Sequence, residues 1–192
     1  YYVERFIKMS QTTLDIKEPG LNVLPPGVER HVVNAGGLTG LQIFPDDEIE
    51  IINEEGNQIC EIICFDKDGK SELGILNQKE NCEKSFIKEL LKGKDESSLI
   101  TNLQLKKRNL DINKSKSSIL FDEQTPSGEK IKIKSKDKCY VIFAAPQNNM
   151  LVSEQNPSSD LTLFIKRYKI VNDKELSTVS YTHLTLPTIA GV

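Results

Sequence analysis

The sequence predicts a mainly β (α+β) fold, a β barrel or sandwich with a short helical insertion around residues 81–105. Three observations lead to this prediction. Segments of alternating polar and apolar residues, rich in β-branched side chains, recur along the chain. Turns rich in Gly, Pro and Asn separate them, and helical spacing is confined to one region. Because strands outnumber helices, a closed or layered sheet is the economical arrangement.

The first strand is predicted at residues 28–33. The turn 25–27 precedes it, because its two prolines fix φ and its glycine permits a positive φ. His31 therefore lies on a strand, close to the turn signal at residues 34–37. The glycine-rich stretch 35–40 is not followed by the lysine of a phosphate-binding loop, so we interpret it as a hairpin connection.

Residues 48–66 predict a second hairpin. Residues 48–53 alternate in polarity, the turn 54–57 follows, and residues 58–66 form another β-branched run. Acidic and amide side chains flank the turn and could bind a cation or an amine if they converge: Asp46, Asp47, Glu48, Glu50, Glu54, Glu55, Asn57 and Gln58. The alternative is a solvent-facing acidic hairpin whose amides satisfy backbone groups at the turn.

The helical insertion is predicted to hold two helices. The clearer one covers residues 81–92, where apolar residues fall at helical spacing and Gly93 ends the helix. A shorter helix at residues 97–105 ends in the basic run 106–108, which suits a helix C-terminus and solvation.

Strand patterns return after the insertion. They cover residues 117–121, 129–133, 139–145 and 161–167, with a short segment at 148–152. The run 139–145 is strongly apolar, so we expect it to be central. Lysines alternate with isoleucines from Lys130 to Lys134, which is typical of a strand with one solvent face.

Composition limits the function classes. The 28 acidic and 25 basic residues are mixed along the chain, so no field of one sign is expected to attract a nucleic acid. No apolar run reaches the roughly 18 residues that a membrane helix needs, so no membrane partner is expected. The four cysteines have neither zinc-finger spacing nor a secretory leader before them, which predicts reduced, mostly buried thiols and a cytoplasmic protein.

The two ends of the chain predict non-native sequence. Residues 1–8 precede Met9 and are interpreted as upstream read-through, and residues 9–170 as a single β-rich domain. A linker is predicted at 171–178. Residues 179–192 read VSYTHLTLPTIAGV, which looks like a translated sequencing adapter. Discarding that tail leaves His31 as the one native histidine, which disfavours Ser–His and Cys–His catalysis.

Residues 24–27 (LPPG) and 47–61 (DEIEIINEEGNQICE) together resemble the opening of the urea-carboxylase-associated family. Glu61 stands where that family typically has an aspartate. Residues 140–146 (YVIFAAP), Met150 and residues 160–167 (DLTLFIKR) are similar to family members fused ahead of aminomethyltransferase domains, which resemble the T-protein of glycine cleavage.

The resemblance implies an accessory N-terminal domain of an aminomethyltransferase-like one-carbon enzyme acting on small methylated amines or amino acids. By itself the domain would be non-catalytic and hold no cofactor. Its partner would be a folate-binding domain beyond Thr178, where tetrahydrofolate would bind. Two alternatives stay open: a small metal-dependent hydrolase or lyase, and a non-catalytic small-molecule binding module.

No catalytic residue or metal ligand is predicted for this chain. The candidate binding residues are His31, Asp47, Asn57, Gln58 and Glu61.

Overall fold

The computed structural model describes residues 24–147 and 157–169 of the 192-residue chain. Within these ranges two sheets of four strands form, and every pair of neighbouring strands is antiparallel. The strands are β1 Val28–Val33, β2 Leu38–Ile43, β3 Glu48–Asn53, β4 Cys60–Phe65, β5 Ser117–Phe121, β6 Glu129–Lys134, β7 Cys139–Ala144 and β8 Leu161–Lys166. Sheet 1 has the order β1-β8-β3-β6 and sheet 2 the order β2-β7-β4-β5.

The two sheets pack face to face as a β sandwich. Ile51 and Leu163 from sheet 1 belong to the same buried cluster as Ile62 and Phe143 from sheet 2, and all four are fully buried. Burial of each such side chain stabilises the fold by about 1.5–3 kcal/mol. The mainly β prediction is confirmed, and of the two predicted architectures the structure has the sandwich and no closed barrel among its described strands.

The two predicted hairpins are wrong, because both connections cross between sheets. β1 and β3 lie in sheet 1, whereas β2 and β4, which follow them directly, lie in sheet 2. Among the described strands, β4 and β5 are the sequential neighbours that pair with each other. A turn signal fixes where the chain reverses but not which strand it will pair with, and crossing lets each sheet bury its apolar face against the other.

The corner between β3 and β4 is held by the side chain of Asn53. Its Nδ2 donates to the carbonyl of Gln58 (2.9 Å), and its Oδ1 accepts from the amide of Gly56 (2.9 Å). Gly56 has φ +79°, and a Cβ there would overlap the backbone of Ser127. The residues read as a hairpin turn therefore build an inter-sheet corner.

Two α-helices cover the outer face of sheet 2. α1 Phe86–Leu90 is capped by Ser85, and α2 Glu96–Lys107 by Asp95. The helical insertion is confirmed, but the predicted lengths were inverted: the first helix has five residues and the second has twelve. Short 3-10 turns at Leu73–Leu76 and Ile112–Lys114 flank the pair.

The later strands follow their predicted patterns. β7 lies between β2 and β4 and is buried at all six positions, which confirms its central place. On β6 the three lysines are exposed while Ile133 is buried, as the alternation predicted. The predictions for residues 1–8, 148–152, 171–178 and 179–192 lie outside the described residues. Neither described α-helix is long and apolar enough to cross a membrane.

Candidate functional site

The structure places the five candidate residues in three separate regions. His31 and Asp47 belong to one buried ionic network, Asn57 and Gln58 to the corner between β3 and β4, and Glu61 to the outer face of sheet 2. The acidic and amide side chains around the turn do not converge, because the predicted hairpin does not form.

Arg167 is the centre of the ionic network. Its guanidinium Nη1 lies 2.7 Å from Oδ2 of Asp47, and the two side chains are 4% and 1% exposed. The same Nη1 donates to the carbonyl of Gln42 (2.9 Å), so the arginine joins sheet 1 to a strand of sheet 2. Asp47 also accepts from the amides of Phe44 (3.0 Å) and Tyr168 (3.0 Å). Its carboxylate is thus satisfied within the protein.

Glu29 and His31 extend this network along β1. Arg167 donates to both carboxylate oxygens of Glu29, from Nε and Nη2, at 2.8 Å each. Nε2 of His31 lies 3.1 Å from Oε2 of Glu29. Partial burial disfavours the carboxylate, but the hydrogen bonds with His31 and Arg167 prevail and lower the pKa of Glu29 to about 2. The bidentate arginine pair makes this a rigid, charge-compensated contact.

The side chain of Gln58 forms hydrogen bonds with backbone groups of three chain segments at the corner. Its Nε2 donates to the carbonyls of Ile59 (3.0 Å) and Pro146 (2.8 Å), and its Oε1 accepts from the amide of Ser159 (2.8 Å). Asn57 adopts a left-handed φ of +56°, and its backbone N–H donates to the carbonyl of Thr125 (2.7 Å). For Gln58 the contacts agree with the alternative in which the side-chain amides satisfy backbone groups.

Glu61 is fully buried under α1. Its Oε2 accepts a hydrogen bond from the backbone amide of Ile87 (2.9 Å). Ile87 lies in the first turn of α1, where backbone amides have no acceptor within the helix. Its Oε1 is buried with no hydrogen-bond partner among the described residues. The carboxylate therefore anchors the helix to sheet 2.

Two further acids of the predicted cluster pair with lysines of β6. Oδ1 of Asp46 lies 3.0 Å from Nζ of Lys134, and Oε1 of Glu50 lies 3.3 Å from Nζ of Lys132. These pairs are largely exposed and weak. Within residues 24–147 and 157–169, no three His, Cys, Asp or Glu side chains are grouped to hold a metal ion.

Arg167 and Glu29 were missed as site residues, although the sequence carries a signal for Arg167. Leu161, Leu163 and Ile165 of β8 face the core, and Arg167 continues the same period of two. A cation at an inward position predicts a buried partner. The partner's identity depends on tertiary structure.

A second polar group was also missed, on the outer face of sheet 2. The guanidinium of Arg108 lies 4.8 Å from the ring centroid of Tyr140, and its Nη1 donates to Oε1 of Gln42 (2.8 Å). The Tyr140 hydroxyl is buried with no hydrogen-bond partner among the described residues, and burial raises the pKa of Tyr140 to about 12. Arg108 was predicted to cap and solvate a helix, but it also packs on this ring.

The described cysteines are free, as predicted. Cys60, Cys64 and Cys139 lie in the core between the sheets, and Cys82 is partly exposed. A hydrogen bond with Cys139 and burial together raise the pKa of the Cys64 thiol. Burial also raises the pKa of the Cys60 thiol, so Cys60 and Cys64 are poor nucleophiles.

A groove of about 610 Å³ lies on the outer face of sheet 1. Leu24, Pro25, Val28 and Phe164 provide its apolar surface. Its charged residues are Glu48 and Glu50 of β3, Lys132 and Lys134 of β6, and Lys166 of β8. None of the five candidate residues lines it.

Comparison with known proteins gives one informative relative. No family model matches the chain. The chain is 34% identical over 152 residues to the trimethylamine-oxide aldolase of Ruegeria pomeroyi. The match covers 79% of this chain but 19% of that protein, so the chain spans about a fifth of its relative's length. The chain is thus similar, over most of its length, to a segment of an enzyme of amine metabolism.

Proposed function

We propose that this chain is an accessory β-sandwich domain of a longer enzyme that acts on small methylated amines, and that the domain is not catalytic by itself. The similarity to trimethylamine-oxide aldolase carries this proposal, at 34% identity over 79% of the chain. Because the match covers 19% of that relative, we assign the chemistry to the remainder of the longer protein.

The environment of the candidate residues supports an accessory role. The polar atoms of Asp47 and Gln58 form hydrogen bonds that hold strands and loops together. Glu61 accepts a hydrogen bond from a backbone amide of α1. Substrate binding at Asp47 or Gln58 would have to compete with these internal bonds, each worth about 0.5–1.5 kcal/mol and more where a charge takes part.

The finer assignment is that the parent is an aminomethyltransferase-like one-carbon enzyme. It is supported by the sequence resemblance to family members fused ahead of aminomethyltransferase domains. That resemblance implies that tetrahydrofolate binds in a downstream domain. On this proposal tetrahydrofolate would be held in that domain and would supply a one-carbon acceptor there, and residues 24–169 take no part in holding it. Trimethylamine N-oxide is the proposed substrate. Its cleavage to dimethylamine and formaldehyde conserves all atoms and needs no external oxidant.

The proposal is tested by comparing the 192-residue chain with the intact polypeptide that carries this domain. Each is incubated with trimethylamine N-oxide, and formaldehyde and dimethylamine are quantified. We expect release by the intact polypeptide and none by the isolated chain. Turnover by the isolated chain would overturn the accessory role. An intact protein with no activity on any methylated amine would overturn the amine assignment.

Metal analysis separates the hydrolase or lyase alternative from the proposal. The 192-residue chain is purified without chelator and its zinc and manganese contents are measured. The proposal expects well below one metal ion per chain. A stoichiometric ion lost in the Glu61→Gln variant would favour the metal enzyme.

A further inference from the structure

We propose that the outer face of sheet 1 is the surface against which the adjoining domain of the longer polypeptide packs. This inference rests on the proposed function in taking the chain to be one domain of a larger enzyme. It adds the location of the interface, the chemistry of the partner surface and the residues that hold the chain in place at its edge.

The two faces of the sandwich are covered differently. α1 packs on β4 and β7, and α2 packs on β2, all of them strands of sheet 2. On sheet 1 the outward side chains border an open groove of about 610 Å³. Sheet 1 is therefore the face with room for a further layer of structure.

Apolar side chains form part of the lining of this groove. Phe164, on β8, lies between Arg30 of β1 and Glu50 of β3 in the sheet register. Leu24 and Val28 also line the groove, and Leu24 is 37% exposed. Val32, also 37% exposed, lies on the same outer side of β1, beyond the exposed Arg30. An exposed apolar strip of this kind gains stability when a partner covers it.

Charged side chains of both signs complete the surface. In the sheet register Glu48 stands between Lys134 and Lys166, and Glu50 stands opposite Lys132. Of these, Glu48 and Lys166 form no ion pair within the described residues. A surface with alternating charges around an apolar strip matches the mixed polarity of inter-domain contacts. It does not match a nucleic acid or an anionic membrane, which select a surface of one sign.

The segment before β1 and the end of β8 both lie at this groove. Leu24, four residues before β1 begins, and Lys166, the last residue of β8, both line it. Arg167 follows at once and is pinned by its buried pair with Asp47, while Tyr168 donates its amide to the same carboxylate. Sequence that continues after β8 therefore starts beside the groove in a fixed position. The relative offers a partner large enough, since the match covers 19% of its length.

The exposed ridge of α2 is a weaker candidate for this role. Leu99 and Leu103, one turn apart, are 52% and 65% exposed. Neither the entry nor the exit of the described domain lies on this helix, so continuity of the chain does not direct a neighbouring domain to it. This ridge therefore provides the matched control.

Lysine labelling tests the inference without reference to activity. The 192-residue chain and the intact polypeptide are acetylated under identical, limiting conditions, and modification is quantified by peptide mass spectrometry. We expect Lys132 and Lys166 to react at least about fivefold more slowly in the intact polypeptide, because an interface excludes water and reagent. Lys107, exposed at the end of α2, should react at a similar rate in both.

Paired variants identify the surface responsible. Phe164→Glu in the intact polypeptide should restore the reactivity of Lys166, whereas Leu103→Glu on α2 should leave it protected. Circular dichroism of both variants in the 192-residue chain checks that the sandwich persists, and Val32→Glu replaces Phe164→Glu if it does not.

Three outcomes overturn the inference. The first is equal reactivity of the groove lysines in the two proteins. The second is protection that appears in the 192-residue chain and increases with its concentration, which would indicate a second copy. The third is an intact gene that encodes no further domain. An inactive protein with protected lysines would instead contradict the proposed function and leave the interface standing.

Discussion

Arg167 and Asp47, separated by 120 positions in the sequence, form an ion pair with 2.7 Å between Nη1 and Oδ2. The pair joins the end of β8 to the turn before β3, and the same Nη1 reaches the carbonyl of Gln42 on β2. It therefore fastens the two sheets at the edge where the chain leaves the described domain.

Removing the arginine should destabilise the sandwich strongly. In Arg167→Met the carboxylate of Asp47 stays buried without its cation, and we expect the free energy of unfolding to fall by about 3–5 kcal/mol. Urea denaturation followed by circular dichroism measures the change. Lys166→Met, at the neighbouring outward position, is the control and should change stability by less than about 0.5 kcal/mol. A loss below about 1 kcal/mol for Arg167→Met would show that the pair is not structural.

Stability should fall with acidification through Glu29. Its folded pKa of about 2 lies below the usual 4.5, so the folded state binds the proton more weakly than the unfolded state. The stabilisation is complete above pH 4.5 and is lost as the pH falls toward about 2. Because Glu29 is partly exposed, solvent screening reduces its size.

The Glu29→Gln variant isolates this contribution. Its stability should depend less steeply on pH between about 5 and 2 than that of the unmodified chain, as measured by urea midpoints across a pH series. Glu48→Gln, on the outer face of the same sheet, is the control and should retain the original slope. Identical slopes for the unmodified chain and Glu29→Gln would contradict the prediction.

Gly40 should tolerate no side chain because Tyr140 occupies the space above it. A Cβ at Gly40 would overlap the Tyr140 hydroxyl and lie 2.6 Å from its Cζ. We expect Gly40→Ala to lower the free energy of unfolding by about 1–3 kcal/mol through overpacking. Tyr140→Phe alone should be close to neutral, since the hydroxyl has no partner among the described residues.

A double-mutant cycle checks the steric cause. Gly40→Ala combined with Tyr140→Phe should recover part of the loss, because one of the overlapping atoms is gone. Additive effects would show that the damage comes from the strand backbone instead.

Glu61 should be needed as a helix anchor. In Glu61→Ala the amide of Ile87 loses its buried acceptor, and we expect a loss of about 1–3 kcal/mol with faster amide exchange in α1. Glu61→Gln keeps an oxygen for that amide and should stay nearer the original stability. Glu89→Ala, which removes an exposed acid of α1 paired with Lys84, is the control and should cost less than about 1 kcal/mol. Loss of stability in Glu89→Ala alone would contradict this account.

The sequence determined where the strands are, because the period of two is a property of the chain itself. All described strands except β2 were predicted to within about two residues at either end. β2 begins at Leu38, inside the glycine-rich stretch 35–40 that was interpreted as a hairpin connection. Gly40 fits in the strand because Tyr140 fills the space that a side chain at position 40 would occupy.

Strand pairing and the role of each polar residue were decided by the tertiary structure. The Gly and Asn turn signals after β1 and β3 are the same whether the next strand pairs with the preceding one or crosses to the other sheet. Burial against the opposite sheet selects the crossing. Period two placed Arg167 inward, but Asp47 and Glu29 became its partners through strand order. Local alternation thus fixes which side chains face inward, whereas long-range packing fixes what each of them meets there.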